Sequence, residues 1–121
     1  MLSSNAALVN VEKWVGKPLP PGYRAFLGAR TDDFAMGESV LLYGTDSFIE
    51  RNETYEIKTY CPDYVTIGDD SGGRQLLLSF HSGALSLVDA GSMNPQDAYE
   101  VAPDFEAWLA AGYPLPPDTE L

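Results

Sequence analysis

The chain has 121 residues, and its 18 acidic against 7 basic side chains give a formal net charge of −11. Phosphate binding depends on lysine and arginine contacts, so we do not expect a chain this acidic to bind nucleic acid. The single Cys61 excludes an internal disulfide, and together with the lone His81 it matches no zinc-ligand spacing. No signal segment opens the chain and no apolar run approaches the ~20 residues of a membrane span, which predicts a cytoplasmic protein that does not enter the membrane.

Apolar residues spaced by three or four positions predict two helices near the N-terminus. Those of the first helix are Leu8, Val11 and Val15. Those of the second are Leu19, Tyr23, Phe26 and Leu27. The proline-rich residues 18–22 cannot continue a helix, so they separate the two. Gly16 and Gly28 are suitable C-terminal ends for the first and the second helix.

Residues 30–38 are polar and show no apolar period, so we interpret them as a loop. Ser47 and Glu50 then have the spacing of a capping box, in which each side chain bonds a free backbone N–H at the start of a helix. This pattern predicts a third helix that continues to Ile57 or Lys58.

Five short segments have the apolar pattern of β-strands. They are residues 40–43, 64–68, 75–80, 85–89 and, near the C-terminus, 99–101. The connections around the third and fourth of them are short, which requires antiparallel hairpins. A last helix is predicted to begin within residues 102–106 and to end at Gly112.

These elements predict one α+β domain over residues 1–112, with a single mostly antiparallel sheet and helices packed around it. Residues 113–121 are predicted to form a proline-rich C-terminal tail. We find no internal repeat and no linker that would divide the domain.

The turn between two predicted strands, residues 69–73, reads Asp-Asp-Ser-Gly-Gly. The two glycines can take positive φ, and the side chains of Asp70 and Ser71 can hydrogen-bond nearby backbone. A phosphate cradle is not expected here, because the turn leads into a strand and the adjacent carboxylates of Asp69 and Asp70 would repel the anion.

Few residues of the sequence are candidates for catalysis or metal binding. Neither of the two aspartate pairs, Asp32-Asp33 and Asp69-Asp70, has the alternate-position spacing of a calcium loop, so solvated turns are the expected role of both. His81 and Cys61 form the one candidate thiol–imidazole pair, but no flanking catalytic signature accompanies them, and we expect a surface turn histidine and a half-buried cysteine. The sequence therefore predicts no catalytic residue, no metal and no cofactor. A small enzyme or ligand-binding domain that uses Asp69, Asp70 and His81 is retained as a second alternative.

Three groups of residues, in this order and spacing, resemble one known family. They are Leu19-Pro20 with Tyr23-Arg24 and Phe26-Leu27, then Ile67-Gly68-Asp69-Asp70 with Gly72-Gly73, and finally Val101-Ala102 with Phe105 and Trp108-Leu109. Together they cover most of the chain and resemble the SMI1/KNR4 family, also called the SUKH superfamily. Arg74 departs from the family's pattern, because an acidic residue is common at that position.

The resemblance implies an α+β fold and a function in protein binding. Bacterial members of the family resemble immunity proteins that neutralise toxins of polymorphic or contact-dependent systems, many of which are nucleases. The resemblance therefore implies a non-catalytic immunity protein for a cognate toxin. A fungal branch is tied to cell-wall regulation, so a general regulatory or scaffold module is the first alternative.

The resemblance also gives the acidic charge a second interpretation beside plain solubility. A nuclease toxin is basic around its substrate groove. The charge of an acidic inhibitor would be complementary to that groove and would raise the rate of association. Loops project from a scaffold, so the acidic residues predicted to contact such a partner are those on loops. These are Asp32, Asp33, Glu38, Asp69 and Asp70.

Overall fold

The computed structural model of the chain describes residues 2–36 and 40–112. Its strands form one six-stranded sheet in which each strand pairs antiparallel with the next along the chain, as the sequence predicts. They are β1 (Phe34–Met36), β2 (Val40–Leu42), β3 (Tyr64–Asp69), β4 (Arg74–Ser79), β5 (Leu85–Asp89) and β6 (Tyr99–Ala102). The sheet is an open meander, and β1 and β6 are its edge strands.

Five α-helices of the described residues accompany the sheet, which confirms the α+β class. They are α1 (Leu2–Val15), α2 (Pro21–Gly28), α3 (Thr45–Thr54), α4 (Ile57–Tyr60) and α5 (Phe105–Ala110). A 3₁₀ helix, Pro95–Asp97, precedes β6. Across residues 2–36 and 40–112, no helix has both the length and the apolar character that crossing a bilayer requires.

The main core lies between one face of the sheet and helices α1, α2, α3 and α5. Leu76 and Leu78 of β4 belong to it, together with the fully buried Tyr23 and Trp108. Leu77 points to the opposite face, because successive side chains of a strand alternate. There it joins a smaller cluster with Ile57, Cys61, Val88 and Met93. The centre of the sheet is therefore covered on both faces, which explains the uninterrupted leucine run.

Residues 30–38 are not a loop throughout, because their centre forms β1. Phe34 pairs with Leu42, and Met36 pairs with Val40. The sequence pattern fails here because an edge strand of three residues is too short to display a period of two.

The capping box predicted at Ser47 is wrong, because α3 begins at Thr45. Contacts with the preceding loop fix this earlier start. The backbone N–H of Gly44 donates to Asp33 Oδ1 at 3.0 Å, and that of Thr45 donates to the Arg30 carbonyl at 3.2 Å. Tertiary hydrogen bonds thus replace the local cap that the sequence pattern indicated.

The third helix also ends earlier than predicted. Glu56 takes the left-handed conformation, with φ of 51°, and separates α3 from α4. The break turns Ile57 and Cys61 towards the smaller core cluster. Cys61 is fully buried rather than half-buried, and its Sγ donates to the Met93 carbonyl at 3.2 Å.

Candidate functional site

Asp70, one of the predicted contact residues, serves the interior of its own turn. It is only 7% exposed, and its Oδ1 accepts hydrogen bonds from the backbone N–H of Gly72 at 2.8 Å and of Arg74 at 3.0 Å. Its other oxygen pairs with the guanidinium of Arg74, which is also buried. Burial raises the pKa of Asp70, but the hydrogen bonds and the Arg74 charge together outweigh burial and bring this pKa below its ordinary value. The expectation of an exposed carboxylate at this position is wrong.

Asp69 is half-buried and also engaged within the fold. Its Oδ1 accepts from the Ser71 N–H at 2.9 Å, and its Oδ2 lies 2.8 Å from the Tyr43 hydroxyl. Gln75 Oε1 lies 3.1 Å from the same hydroxyl. Burial of Tyr43, and next the hydrogen bond to Asp69, raise the pKa of this phenol well above its ordinary value. Of the two turn glycines, Gly73 takes positive φ (100°), whereas Ser71 (63°) does so in place of the other.

The second predicted aspartate pair is divided between the interior and the solvent. Asp33 is half-buried and accepts the Gly44 N–H, as described above. Asp32 is exposed, and its side chain has no partner among the described residues. Glu38 lies outside the described residues. The backbone of Thr31 accepts the Asp46 N–H at 3.0 Å, so this loop adjoins the start of α3.

The structure does not join His81 to Cys61. His81 is exposed in the turn after β4, as expected, and its Nε2 lies 3.3 Å from Asp63 Oδ1. Burial raises the pKa of the Cys61 thiol, which keeps it in the less nucleophilic protonated form. Within the described residues, no group of three histidine, cysteine or carboxylate side chains is arranged to hold a metal ion.

An acidic surface that the sequence reasoning missed lies along α3. Asp46, Glu50 and Glu53, which we call the acidic ridge, are all exposed and follow helical spacings of four and three residues. Their carboxylates form no ion pair or hydrogen bond with any described residue. Asp32 adjoins the N-terminal end of the ridge. The i, i+4, i+7 spacing of these acids is visible in the sequence, but an expectation based on projecting loops does not include residues of a helix.

The basic residues of the chain are mostly engaged with its own side chains. Two pair with carboxylates, and four lie over aromatic rings. The pairs are Arg24 with Glu12 and Arg74 with Asp70; the ring contacts are Lys17 over Phe80, Arg30 over Phe26 and Phe34, Arg51 over Tyr43, and Lys58 over Trp14. Arg51 neighbours Glu50 in sequence but contacts the Tyr43 ring instead. The carboxylates of the ridge therefore form no ion pair with a basic residue of the described structure, although Arg51 lies on the same helix.

Chemically, the ridge offers carboxylate acceptors to lysine and arginine side chains, at a surface that opposes anions. A family model for the SMI1 / KNR4 family (SUKH-1) matches residues 3–111. No curated protein matches the chain at a significant level.

Proposed function

We propose, because the chain belongs to the SMI1/KNR4 family (SUKH-1), that it is an immunity-type protein that binds and neutralises a cognate bacterial toxin without catalysing a reaction. The domain type includes immunity proteins and is associated with binding cognate toxins. The observation that supports this function best is the acidic ridge, since its three exposed carboxylates have no partner within the described structure.

The partner proposed here carries a basic surface, such as the substrate groove of a nuclease. Opposite charges would speed the encounter and orient the two proteins, while contacts at the interface would hold the complex. A groove covered in this way is closed to its nucleic-acid substrate, so binding alone would neutralise the toxin.

The residues proposed to contact the toxin are the acidic ridge and the adjoining Asp32. Asp33, Asp69 and Glu38 are retained from the sequence prediction, the first two as half-buried carboxylates. Asp70 is proposed only as a support of its turn, because its carboxylate is buried and paired.

The decisive experiment co-expresses the chain with the product of the neighbouring reading frame. The triple variant D46N/E50Q/E53Q should lose protection and bind the toxin roughly threefold to a hundredfold more weakly, since exposed ion pairs contribute ~0.2–1 kcal/mol each. The control variant D63N/D97N/E100Q removes the same number of charges from exposed positions outside α3 and should still protect.

Several outcomes would contradict the proposal. They include a neighbour that is not toxic, toxicity that persists beside the unmodified chain, and equal losses in both triple variants. Binding should also weaken as salt rises, because exposed charges are screened within ~8 Å at physiological ionic strength. Several weak partners in place of one tight complex would instead favour a general interaction module.

A further inference from the structure

A groove of about 530 Å³ opens at the end of the sheet where β4 turns into β5. It lies between the start of α2 and the start of α5, with the turn at residues 80–83 on its third side. Its lining includes Pro18, Pro21, Phe80, His81 and Glu106. The volume falls within the range of sites that hold a small molecule or one inserted side chain.

One carboxylate of the groove, that of Glu106 on α5, lies against the first turn of α2. A Cβ added to Gly22 would lie 2.7 Å from both Cδ and Oε1 of Glu106, so the Glu106 side chain rests directly on the first turn of α2. That turn has no side-chain cap, and a negative charge near a helix N-terminus is favourable. The carboxylate of Glu106 therefore lies where the start of α2 favours a negative charge.

A second carboxylate stands beside it. Asp104 is exposed, and its Oδ1 accepts the Ala107 N–H at 2.7 Å as the N-cap of α5. Its Oδ2 accepts no hydrogen bond from any residue in the described part of the chain. The two acids therefore line one groove together with Phe80 and the buried Phe105.

The Phe80 ring of the groove is already in contact with a cation of the same chain. The Lys17 ammonium lies 4.6 Å from the centre of the Phe80 ring. Even with this charge, the two carboxylates leave the groove negative. An anionic ligand would be repelled, and a purely apolar one would remove both carboxylates from water without compensation.

We propose that this groove receives an arginine side chain of the partner protein. The planar guanidinium stacks on an aromatic ring and donates to carboxylates in a fixed fork, whereas a lysine ammonium is a compact and strongly hydrated charge. The inference rests on the proposed function, because it names the side chain that the toxin inserts. The test of the groove needs no toxin, so the groove proposal and the proposed function can be refuted independently.

The test uses the peptide Ac-Gly-Arg-Gly-NH₂ and the intact chain, followed by ¹⁵N–¹H NMR. The backbone amides of Gly22, Ser82 and Glu106 should shift and approach saturation below about 20 mM peptide, since one anchoring side chain gives roughly millimolar affinity. The same peptide with citrulline, a neutral analogue of arginine, should leave these amides in place. Equal shifts with both peptides, or none at these amides, would overturn the proposal.

Matched variants separate the groove from the general acidity of the surface. D104N/E106Q should weaken arginine-peptide binding about threefold or more, because two exposed charge contacts are lost while Asn remains a good N-cap. D97N/E100Q removes the same charge from exposed positions outside both the groove and the acidic ridge and should change the affinity by less than that. Equal weakening in both variants would mean non-specific attraction and would contradict the groove.

Removing the charge of Lys17 is expected to have the opposite effect on the affinity for the arginine peptide. K17M should tighten arginine-peptide binding, because the Phe80 ring is then free for the guest guanidinium. K13M removes the same charge from another exposed residue of the same region and is the control. An equal gain in both variants, or a gain in neither, would contradict the proposed site.

The proposed function and the groove proposal can be refuted separately. Peptide binding in a chain whose neighbouring reading frame encodes no toxin would contradict the proposed function alone. A toxin bound as tightly by D104N/E106Q as by the wild type would contradict the arginine proposal alone.

Discussion

The β3–β4 turn and the acidic ridge of α3 are both rich in carboxylates, yet only the ridge leaves them available. Backbone N–H groups of the turn have no partner in a helix or a strand ladder, so they donate to the aspartate side chains instead. The carboxylates of Asp69 and Asp70 therefore accept hydrogen bonds from the turn itself. Inside a helix the backbone N–H groups are already bonded to carbonyls one turn earlier. Glu50 and Glu53 therefore find no local donor. An acid in a tight turn is more often structural, and an acid in the middle of a helix is more often free for a partner.

The largest effect that separates the two regions is expected from Asp70→Ala. The change removes the buried Asp70 carboxylate from its ion pair with Arg74 and takes the side-chain acceptor away from the Gly72 N–H. Breaking a buried pair in this way costs about 3–5 kcal/mol of the free energy of unfolding. Urea denaturation followed by far-UV circular dichroism measures this loss, with Asp46→Ala on the ridge as the control. A loss below ~1 kcal/mol for Asp70→Ala would contradict the structural role of the turn.

A smaller effect of Asp70 is expected in the pH dependence of the free energy of unfolding. The pKa of Asp70 is lower in the folded chain than in the unfolded chain, so its stabilising contribution is present above about pH 4 and is lost as the pH falls through the folded-state pKa. The stability difference between the wild type and Asp70→Ala should therefore narrow in acid. Denaturation midpoints between about pH 7 and pH 3 test this expectation. A difference that stays constant over that range would mean that ionised Asp70 does not stabilise the fold.

The sequence predicted the fold better than it predicted the site. Residues 85–89 form a strand with the predicted bounds, and α2 lies between the proline and glycine signals that indicated it. These elements have strong local causes, namely a fixed proline φ and an apolar pattern that the core requires. β1 and the break at Glu56 were missed because they depend on pairing and packing with distant parts of the chain.

The candidate surfaces were harder to predict for the same reason. Acidity is visible in a sequence, but the donors that occupy each carboxylate are not. The sequence shows a basic residue four positions after Asp70, but no local pattern predicts that Arg74 is buried against it. The groove combines residues 18–22, 80–83 and 104–106, and no local pattern links these three segments.

The smallest effect is expected where the ridge itself is changed. Glu50 and Glu53 are like charges three positions apart on one helix face, a pair that destabilises a helix by about 0.2–0.5 kcal/mol. E50Q/E53Q should therefore leave the free energy of unfolding unchanged or raise it by that amount, with the gain shrinking as salt is added. Thermal and urea denaturation at low and high salt measure this. A clear loss of stability would mean that these carboxylates have partners within the fold, and the contrast between a self-bonded turn and a free ridge would then fail. A neutral or stabilising result together with lost toxin protection would assign the ridge to binding, because residues that do not stabilise the fold would then be needed only by the partner.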